Sequence, residues 1–459
     1  MAHPPFDRLQ QQIQGTVIQP TDKHYDEYRQ GWNGYFDKNP QAIVACKSAD
    51  GVVHTLHFVK EYSLPFSVKS GGHDYAGHSI IDNGLVIDLS GMKKINVNPD
   101  KKTVMAEAGN RWVDVDRETA KYNLATTGGT VSTVGIAGYT LGGGSGYLAR
   151  KAGLAVDNLI SAEVVLSSGE KVVVSENENS DLFWALRGGS GNFGIVTSFE
   201  YRLHEIPEEI MAGQIVHPFK NAGDGLKFYR DFMEKASDNL TCYAFFLNVP
   251  PVEVFPEKYH GKTALFLILA HFGSKEETEE ELQPLLNFGD PILKAVQPMP
   301  YTQAQTMFDD GMAKGNRWYS KAHYLDSLPD QAINTLLTYL SDIPGPFSSA
   351  YLEPMGGAVN RVNKEATAFP HRNAAYGLHI FPGWSGTDLD QKTMKWAKDF
   401  FNDMKTFANG GVYVNLLGHD EQNRIESAFG SNYQKLKQIK QKYDPENLFN
   451  HNHNIKPES

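Results

Sequence analysis

"DLFWALRGGSGNFGIVTSFEYRL", Asp181 to Leu203, contains Gly189 to Gly194, which matches G-x-G-x-x-G letter for letter. The match raises a dinucleotide fold of the Rossmann kind. That fold needs strand, glycine turn and helix in this order, so that a pyrophosphate meets the helix N-terminus. Here the order is reversed. A helical pattern capped by Ser180 and ended by Gly188 comes first, and the strand pattern "IVTSFEYRLHEI" follows. The Rossmann reading is rejected. The segment is a helix-to-strand turn in which small residues let backbone approach something flat.

Upstream lies "TTGGTVSTVGIAGYTLGGGSGYLARKAGLAVDNL", Thr126 to Leu159, with eight glycines between Gly128 and Gly146. Such a run costs conformational entropy unless something needs the close approach. Glycine turns also present backbone N–H groups as anion nests, and a dinucleotide pyrophosphate is the natural guest. The interleaved Val134, Ile136, Leu141 and Leu148 argue for packing rather than a free linker. "VKSGGHDYAGHS", Val68 to Ser79, repeats the logic directly after a strand: Ser70, Gly71 and Gly72 precede His73, and His78 follows five residues later. The two histidines lack a local third ligand beyond Asp74 and Asp82, so no metal is expected. A satisfied polar turn and an imidazole facing a cofactor both stay open.

Further outward, residues 21–35 read as a helix capped by Thr21 or Asp22. "AIVACK", a helix from Asp50 and "FSVKS" form a β-α-β unit, followed by the strand "GLVIDLS", a hairpin turning at Pro99-Asp100, a helix over "RWVDVDRETAKYN" and a hairpin at Ser168-Gly169. After about residue 206 glycine thins out. Strands such as "LTCYAFFLNV" and "KTALFLILAHFG" alternate with helices such as "SKEETEEELQPLLNF", the pattern of an antiparallel sheet backed by helices. "YLEPMGG" and "TAFPHR" look like exposed polar clusters. "GVYVNLL" reads as a strand with Tyr413 and Asn415 on one face.

The 459 residues exceed one core, so at least two domains are expected. A net charge of −11 with no Lys/Arg run disfavours nucleic acid and anionic membranes as partners. No run of 18 apolar residues exists for a membrane span. Cys46 and Cys242 read as two free thiols. "MAHPPFDRLQQQIQG" has no apolar core, so a cytoplasmic chain is expected, with secretion open if a leader was removed.

Taken in series, "KSGGHDYAGHS", "GLVIDLS", "TVGIAGYTLGGGSGYLARKAGLAVDNL", "LFWALRGGSGNFGIVTSFEYRL", "TAFPHR" and "YDPENLFNHNHNIKP" resemble the berberine bridge enzyme family, within the vanillyl-alcohol-oxidase or PCMH-type flavoproteins. The resemblance covers roughly 40–205 and 350–457. It implies an α+β fold: an FAD-binding domain over 1–205, an inserted substrate domain on an antiparallel sheet over 206–411, and a segment over 412–459 completing the FAD-binding domain. It implies FAD bound covalently through His73, with Tyr75 facing the substrate side of the flavin. The implied cofactor positions begin at Lys69, Ser70, Gly71, Gly72, Asp74, Gly77 and His78. They continue through Gly129, Val131, Thr133, Val134, Gly135, Gly138, Gly142, Gly143, Gly144, Gly146 and Asn158. They end at Gly191, Gly194, Ile195, Val196, Tyr413, Asn415 and Asn452.

The sequence departs from the family in three places. Val131 stands where many members carry a second, cysteine tether, so one bond is expected. Leu416 stands where a Tyr or His assists proton abstraction, leaving Tyr413 as first choice of base and Glu353, His379 and His419 as alternatives. His453 replaces the usual glutamine of the tail. Val134 occupies the position that gates oxygen in this family, and valine there implies an oxidase.

The expectation is therefore oxidation of a CH–OH group of a small molecule, with O2 reduced to H2O2. Trp318, Tyr319, Tyr351, Tyr376 and Trp384 would suit stacking on a mono- or oligosaccharide. A secondary metabolite or an alcohol is the alternative substrate. The rival functions are a flavin-dependent dehydrogenase and a flavin-binding protein that has lost its active site.

Overall fold

Ala42–Cys46 is buried at every position, as the unbroken apolar run "AIVAC" requires of a strand covered on both faces. It sits in a four-stranded sheet ordered Gly15–Ile18, Ala42–Cys46, Leu85–Asp88, Phe66–Lys69. Its last two pairings are parallel. The crossover helix Ala49–Glu61 starts at Ser48, whose side chain accepts from the Gly51 N–H, and buries Val52, Leu56 and Val59. The computed structural model describes residues 4–458, so Met1 to His3 of the N-terminal stretch and Ser459 lie outside the described residues.

A five-stranded antiparallel sheet follows, ordered Ile95–Asn98, Thr103–Glu107, Ile195–Arg202, Leu159–Val165, Lys171–Ser175. The turn that matched the Rossmann pattern lies between the helix Ser180–Leu186 and the strand Ile195–Arg202, in the order read from the sequence.

Seven antiparallel strands form the third large sheet. Their order is Leu293–Met299, Ile210–Pro218, Thr263–His271, Leu240–Asn248, Ser349–Pro354, Tyr376–Phe381, Lys321–Leu325. Period-2 alternation gives its faces different work. Ala244, Phe246, Ala350, Leu352, Leu378 and Ile380 pack with the helices Ala222–Met233, Asp330–Leu340 and Asp390–Met404. Tyr243, Phe245, Tyr351, Glu353, His379 and Phe381 line a cavity instead. Register sets Phe245 beside Tyr351 and Tyr351 beside His379. The fold is mixed α+β on predominantly antiparallel sheets, as expected.

The C-terminal helix Tyr433–Tyr443 and the tail return to the first half: Leu436, Phe449 and Ile455 share a core with Ala42, Leu85 and Phe193. Two element readings are corrected. Residues 21–35 hold a helix only over Tyr25–Arg29, because Gly31 and Gly34 lie in a tight loop; a Cβ on Gly34 would meet the Gly315 carbonyl oxygen at 2.1 Å. "VYVNLL" is a 3-10 turn over Val414–Leu416 rather than a strand. "TAFPHR" is not exposed. Arg372 is 1% exposed and grips Asp157 through two 2.7 Å bonds.

Candidate active site

A cavity of about 390 Å³ opens where the loops of the first half, one face of the seven-stranded sheet and the tail meet. The Ser70–Tyr75 loop forms one wall. Asp74 curls it, accepting from the backbone N–H groups of Ala76 and His78. Gly72 turns the chain with φ +71. The N–H groups of Gly71 to Tyr75 donate to no acceptor among the described residues. Consecutive free N–H groups in a glycine turn make an anion nest. A second loop backs the first: a Cβ on Gly71 would lie 2.4 Å from the Gly135 nitrogen. The two backbones therefore touch, and glycine is required at both positions.

His73 faces this cavity. Its ring stacks on Trp32 at 4.8 Å and 19°, and Nε2 lies 3.0 Å from Thr133 Oγ1. Burial, with Arg111 and Lys314 adding positive charge, lowers its pKa to about 3. The imidazole is thus neutral and keeps a lone pair at neutral pH. His78 packs edge-on against His453 at 4.8 Å.

The sheet side of the wall carries a carboxyl–imidazole pair. Glu353 accepts from Ser145 Oγ, and its Oε2 lies 2.8 Å from His379 Nε2. His379 Nδ1 is buried with no partner among the described residues. Around the pair stand flat faces: Phe245 stacks on Tyr351 at 4.1 Å, and Tyr75 stacks on Phe381 at 5.0 Å. Tyr413 lies beside them. Its oxygen accepts from the Gly144 N–H at 2.8 Å and from Asn415 Nδ2 at 3.0 Å. Burial pushes the Tyr413 hydroxyl above its ordinary pKa despite those two donors. Burial does the same to Tyr75.

The wall residues fit a long, flat, anionic group. A Cβ at Gly138 or Gly191 would meet nothing within 4 Å, so both glycines leave open space on the cavity side. Asn452 Oδ1 and His453 Nδ1 are buried there without partners among the described residues. With the N–H nest, these groups match a dinucleotide bearing a ring system and a pyrophosphate. No cluster of three metal-ligating side chains occurs among the described residues.

Most of the expected cofactor positions line the cavity: Ser70, Gly71, Gly72, His73, Asp74, His78, Gly129, Val131, Val134, Gly135, Gly138, Gly191, Gly194, Ile195, Val196, Asn415 and Asn452. So do Tyr75, Glu353 and Tyr413. Other positions lie behind the wall. Lys69 Nζ bonds to the Tyr28 carbonyl, Gly77 packs on the Phe36 ring, and Thr133 Oγ1 lies 3.0 Å from His73 Nε2. Gly142 makes room for Asn415, Gly143 for Phe369 and Tyr413, Gly144 for Tyr139 and Ala155, and Gly146 for the Gly128 carbonyl. Asn158 ties the Ala152 and Leu154 carbonyls together. The second half of the glycine run thus packs rather than cradles.

Of the five aromatics expected to stack on sugar, Tyr351 alone is on the wall. Trp318 stacks on Trp32, Tyr319 donates to Asp420, Tyr376 packs near Tyr229, and Trp384 donates to Asp390. His419 stacks on Tyr35 away from the cavity. Sequence reading missed Tyr243, Phe245, Phe308 and Phe381 on the wall and Trp32 behind it. The period-2 pattern of the strands identifies the inward set of Phe245 and Phe381, but it does not say which face meets the cofactor half.

Residues 40–175 match the FAD binding domain family model, and residues 412–456 match the model for berberine and berberine-like proteins. The chain is 31% identical to an FAD-linked oxidoreductase of Dictyostelium discoideum, over 97% of this chain and 95% of that one. It is 28% identical to the glucooligosaccharide oxidase of Sarocladium strictum, over 94% and 92% of the two chains. The crystal structure of 6-hydroxy-D-nicotine oxidase from Arthrobacter nicotinovorans superposes with a TM-score of 0.88 at 26% identity, covering 97% of this chain and 98% of that one. Fold, cavity and matches over nearly the whole length agree: the chain is an FAD-linked oxidoreductase and belongs to the berberine bridge enzyme-like family.

Proposed function

We propose that this enzyme oxidises a CH–OH group of a small molecule with O2 as electron acceptor, and that one covalent bond from His73 holds its FAD. The observation that carries the reading is the placement of a neutral imidazole, His73, in the same cavity as the Glu353–His379 pair. Bound FAD would supply a two-electron acceptor for hydride from the substrate carbon, while the chain provides position and proton transfer.

Gly71 to Tyr75 would bind the pyrophosphate through backbone N–H groups. The Glu353–His379 pair takes the hydroxyl proton. With Nε2–H donating to the carboxylate, the lone pair of His379 stays on the unpartnered Nδ1, and Glu353 stabilises the cation that forms. Tyr413 fits this step less well as the base, since its oxygen already accepts two hydrogen bonds and burial keeps its proton on. Its O–H is then a donor that orients the substrate oxygen. Val134 on the wall supports the oxidase reading that the family resemblance implies.

The rings of Tyr351, Phe245 and Phe381 give the cavity an apolar side that suits the C–H groups of a sugar, and the likeness to a glucooligosaccharide oxidase supports a saccharide oxidised to its lactone. A flat aromatic alcohol or secondary metabolite is the second reading. It is favoured because Tyr243, Phe245, Tyr351 and Phe381 line the sheet side of the wall and four of the five aromatics expected for sugar binding do not reach it.

The test begins with acid precipitation of the purified protein. A yellow pellet with one added FAD by intact mass is expected, and a colourless pellet from His73→Ala. Free FAD in the wild-type supernatant would overturn the tether. Anaerobic mixing with aldoses, oligosaccharides and aromatic alcohols should bleach the flavin for one class, and air should then yield peroxide. Bleaching with slow reoxidation in air would make the enzyme a dehydrogenase.

A further inference from the structure

We propose that Trp32 is the positioning residue for covalent flavin attachment: its indole face sets the plane of the His73 ring, and Trp32–Asn33 holds the loop that carries it. The inference rests on the reading that His73 bonds the flavin.

The tether forms only if one imidazole nitrogen points at the flavin methyl carbon, so two rotations of the His73 side chain must be fixed. One contact fixes the edge, the 3.0 Å approach of Nε2 to Thr133 Oγ1. The face is fixed by Trp32, stacked at 4.8 Å and 19°. With Nε2–H donating to Thr133, the lone pair lies on Nδ1, which has no hydrogen-bond partner among the described residues.

Trp32 can act as a platform because it is itself immobile. Its backbone N–H donates to the Gly72 carbonyl at 2.9 Å, one residue before His73. Its indole N–H donates to the Met312 carbonyl at 2.8 Å. It also stacks on Trp318 at 5.1 Å and 13°. Tyr75 meets it edge-on at 5.3 Å.

Asn33 completes the bracket. Its Nδ2 donates to the carbonyls of Tyr75 and Trp318, and its Oδ1 accepts from the Trp318 N–H at 2.9 Å. The dipeptide thus joins the histidine loop to segment 312–318, which lies between strands of the seven-stranded sheet. No contact of Trp32 with substrate is implied, since the cavity wall does not include it.

Bond formation exchanges the imidazole N–H and one C–H of the flavin methyl group for a C–N bond. The two protons and two electrons released would pass to the flavin ring and then to O2, which would become H2O2.

Trp32→Leu removes the flat face with moderate loss of volume, and Trp32→Phe restores a flat face. Each purified variant would be incubated with excess FAD in air, and acid-stable flavin per chain followed with time, beside the melting temperature and total bound flavin. Trp32→Leu should slow acid-stable incorporation at least tenfold while non-covalent FAD remains bound. Trp32→Phe should stay within about threefold of wild type. Incorporation in Trp32→Leu at the wild-type rate would overturn the proposal. So would equal losses in both variants that track melting temperature, which would mark a merely structural role. A wild-type protein without acid-stable flavin would instead remove the underlying tether reading.

Discussion

At the scale of single residues, the proton-transfer groups are distinguished by what already occupies their atoms. The Tyr413 oxygen has two donors on it, whereas His379 Nδ1 has no partner among the described residues and Glu353 Oε2 sits 2.8 Å from its other nitrogen. Glu353→Gln, which removes the carboxylate that stabilises the His379 cation, should therefore lower the rate of anaerobic flavin reduction by about 10² or more, the usual scale for a group that takes part in proton transfer. Acid-stable flavin should be unchanged. Tyr413→Phe should cost less, about tenfold, and mainly in KM. Stopped-flow reduction with the substrate found by bleaching checks both, and the reverse ranking would restore Tyr413 as the base. The sequence carried Glu353 and Tyr413 forward as candidates. It put Tyr413 first, because hydrogen-bond occupancy, which depends on Gly144 far away in the chain, is not legible in it.

At the scale of elements, the tail is set by one buried cation. Lys440, in the last turn of the helix Tyr433–Tyr443, donates to the Asn192 and Phe449 carbonyls at 2.7 and 2.9 Å. It pairs with Asp444 at 2.7 Å, both side chains being fully buried. Asp444 in turn accepts from the N–H groups of Leu448 and Phe449. This knot joins the GSGNFG turn to the stretch carrying His451, Asn452 and His453. Lys440→Met leaves Asp444 buried and unpaired, which should cost about 3–5 kcal/mol. Chemical denaturation checks this, and a change under 1 kcal/mol would show that the knot does not hold the tail. "YDPENLFNHNHNIKP" was readable as part of the family resemblance. Its clasp on residue 192 was not, since the partners stand 248 positions apart.

At the scale of the whole molecule, several histidines are buried in neutral form. His323 and His371 are both lowered from 6.5 to about 4, in each case first by burial. The unfolded chain takes up these protons from pH 6.5 downward, and the folded one only near 4. Stability is therefore full above 6.5 and falls as pH drops from 6.5 toward 4, by up to about 2 kcal/mol per histidine at pH 5. Calorimetry should show a melting temperature several degrees lower at pH 5 than at pH 7.5, and equal values would refute the sign. Much of the architecture was legible in the chain itself. The reversed G-x-G-x-x-G order excluded the Rossmann fold, the apolar run "AIVAC" marked a strand covered on both faces, and "SGGHDY" placed a glycine nest and its histidine, all of them local. The tertiary structure decided which atoms meet: Trp32 on His73, His379 against Glu353, four of the five expected aromatics away from the wall, and a packing role for Gly142 to Gly146. Local pattern fixes periodicity and turn chemistry because neighbours in sequence share a few backbone angles. Which side chains face one cavity depends on strand register and on how the two halves pack, and no short stretch of sequence encodes either.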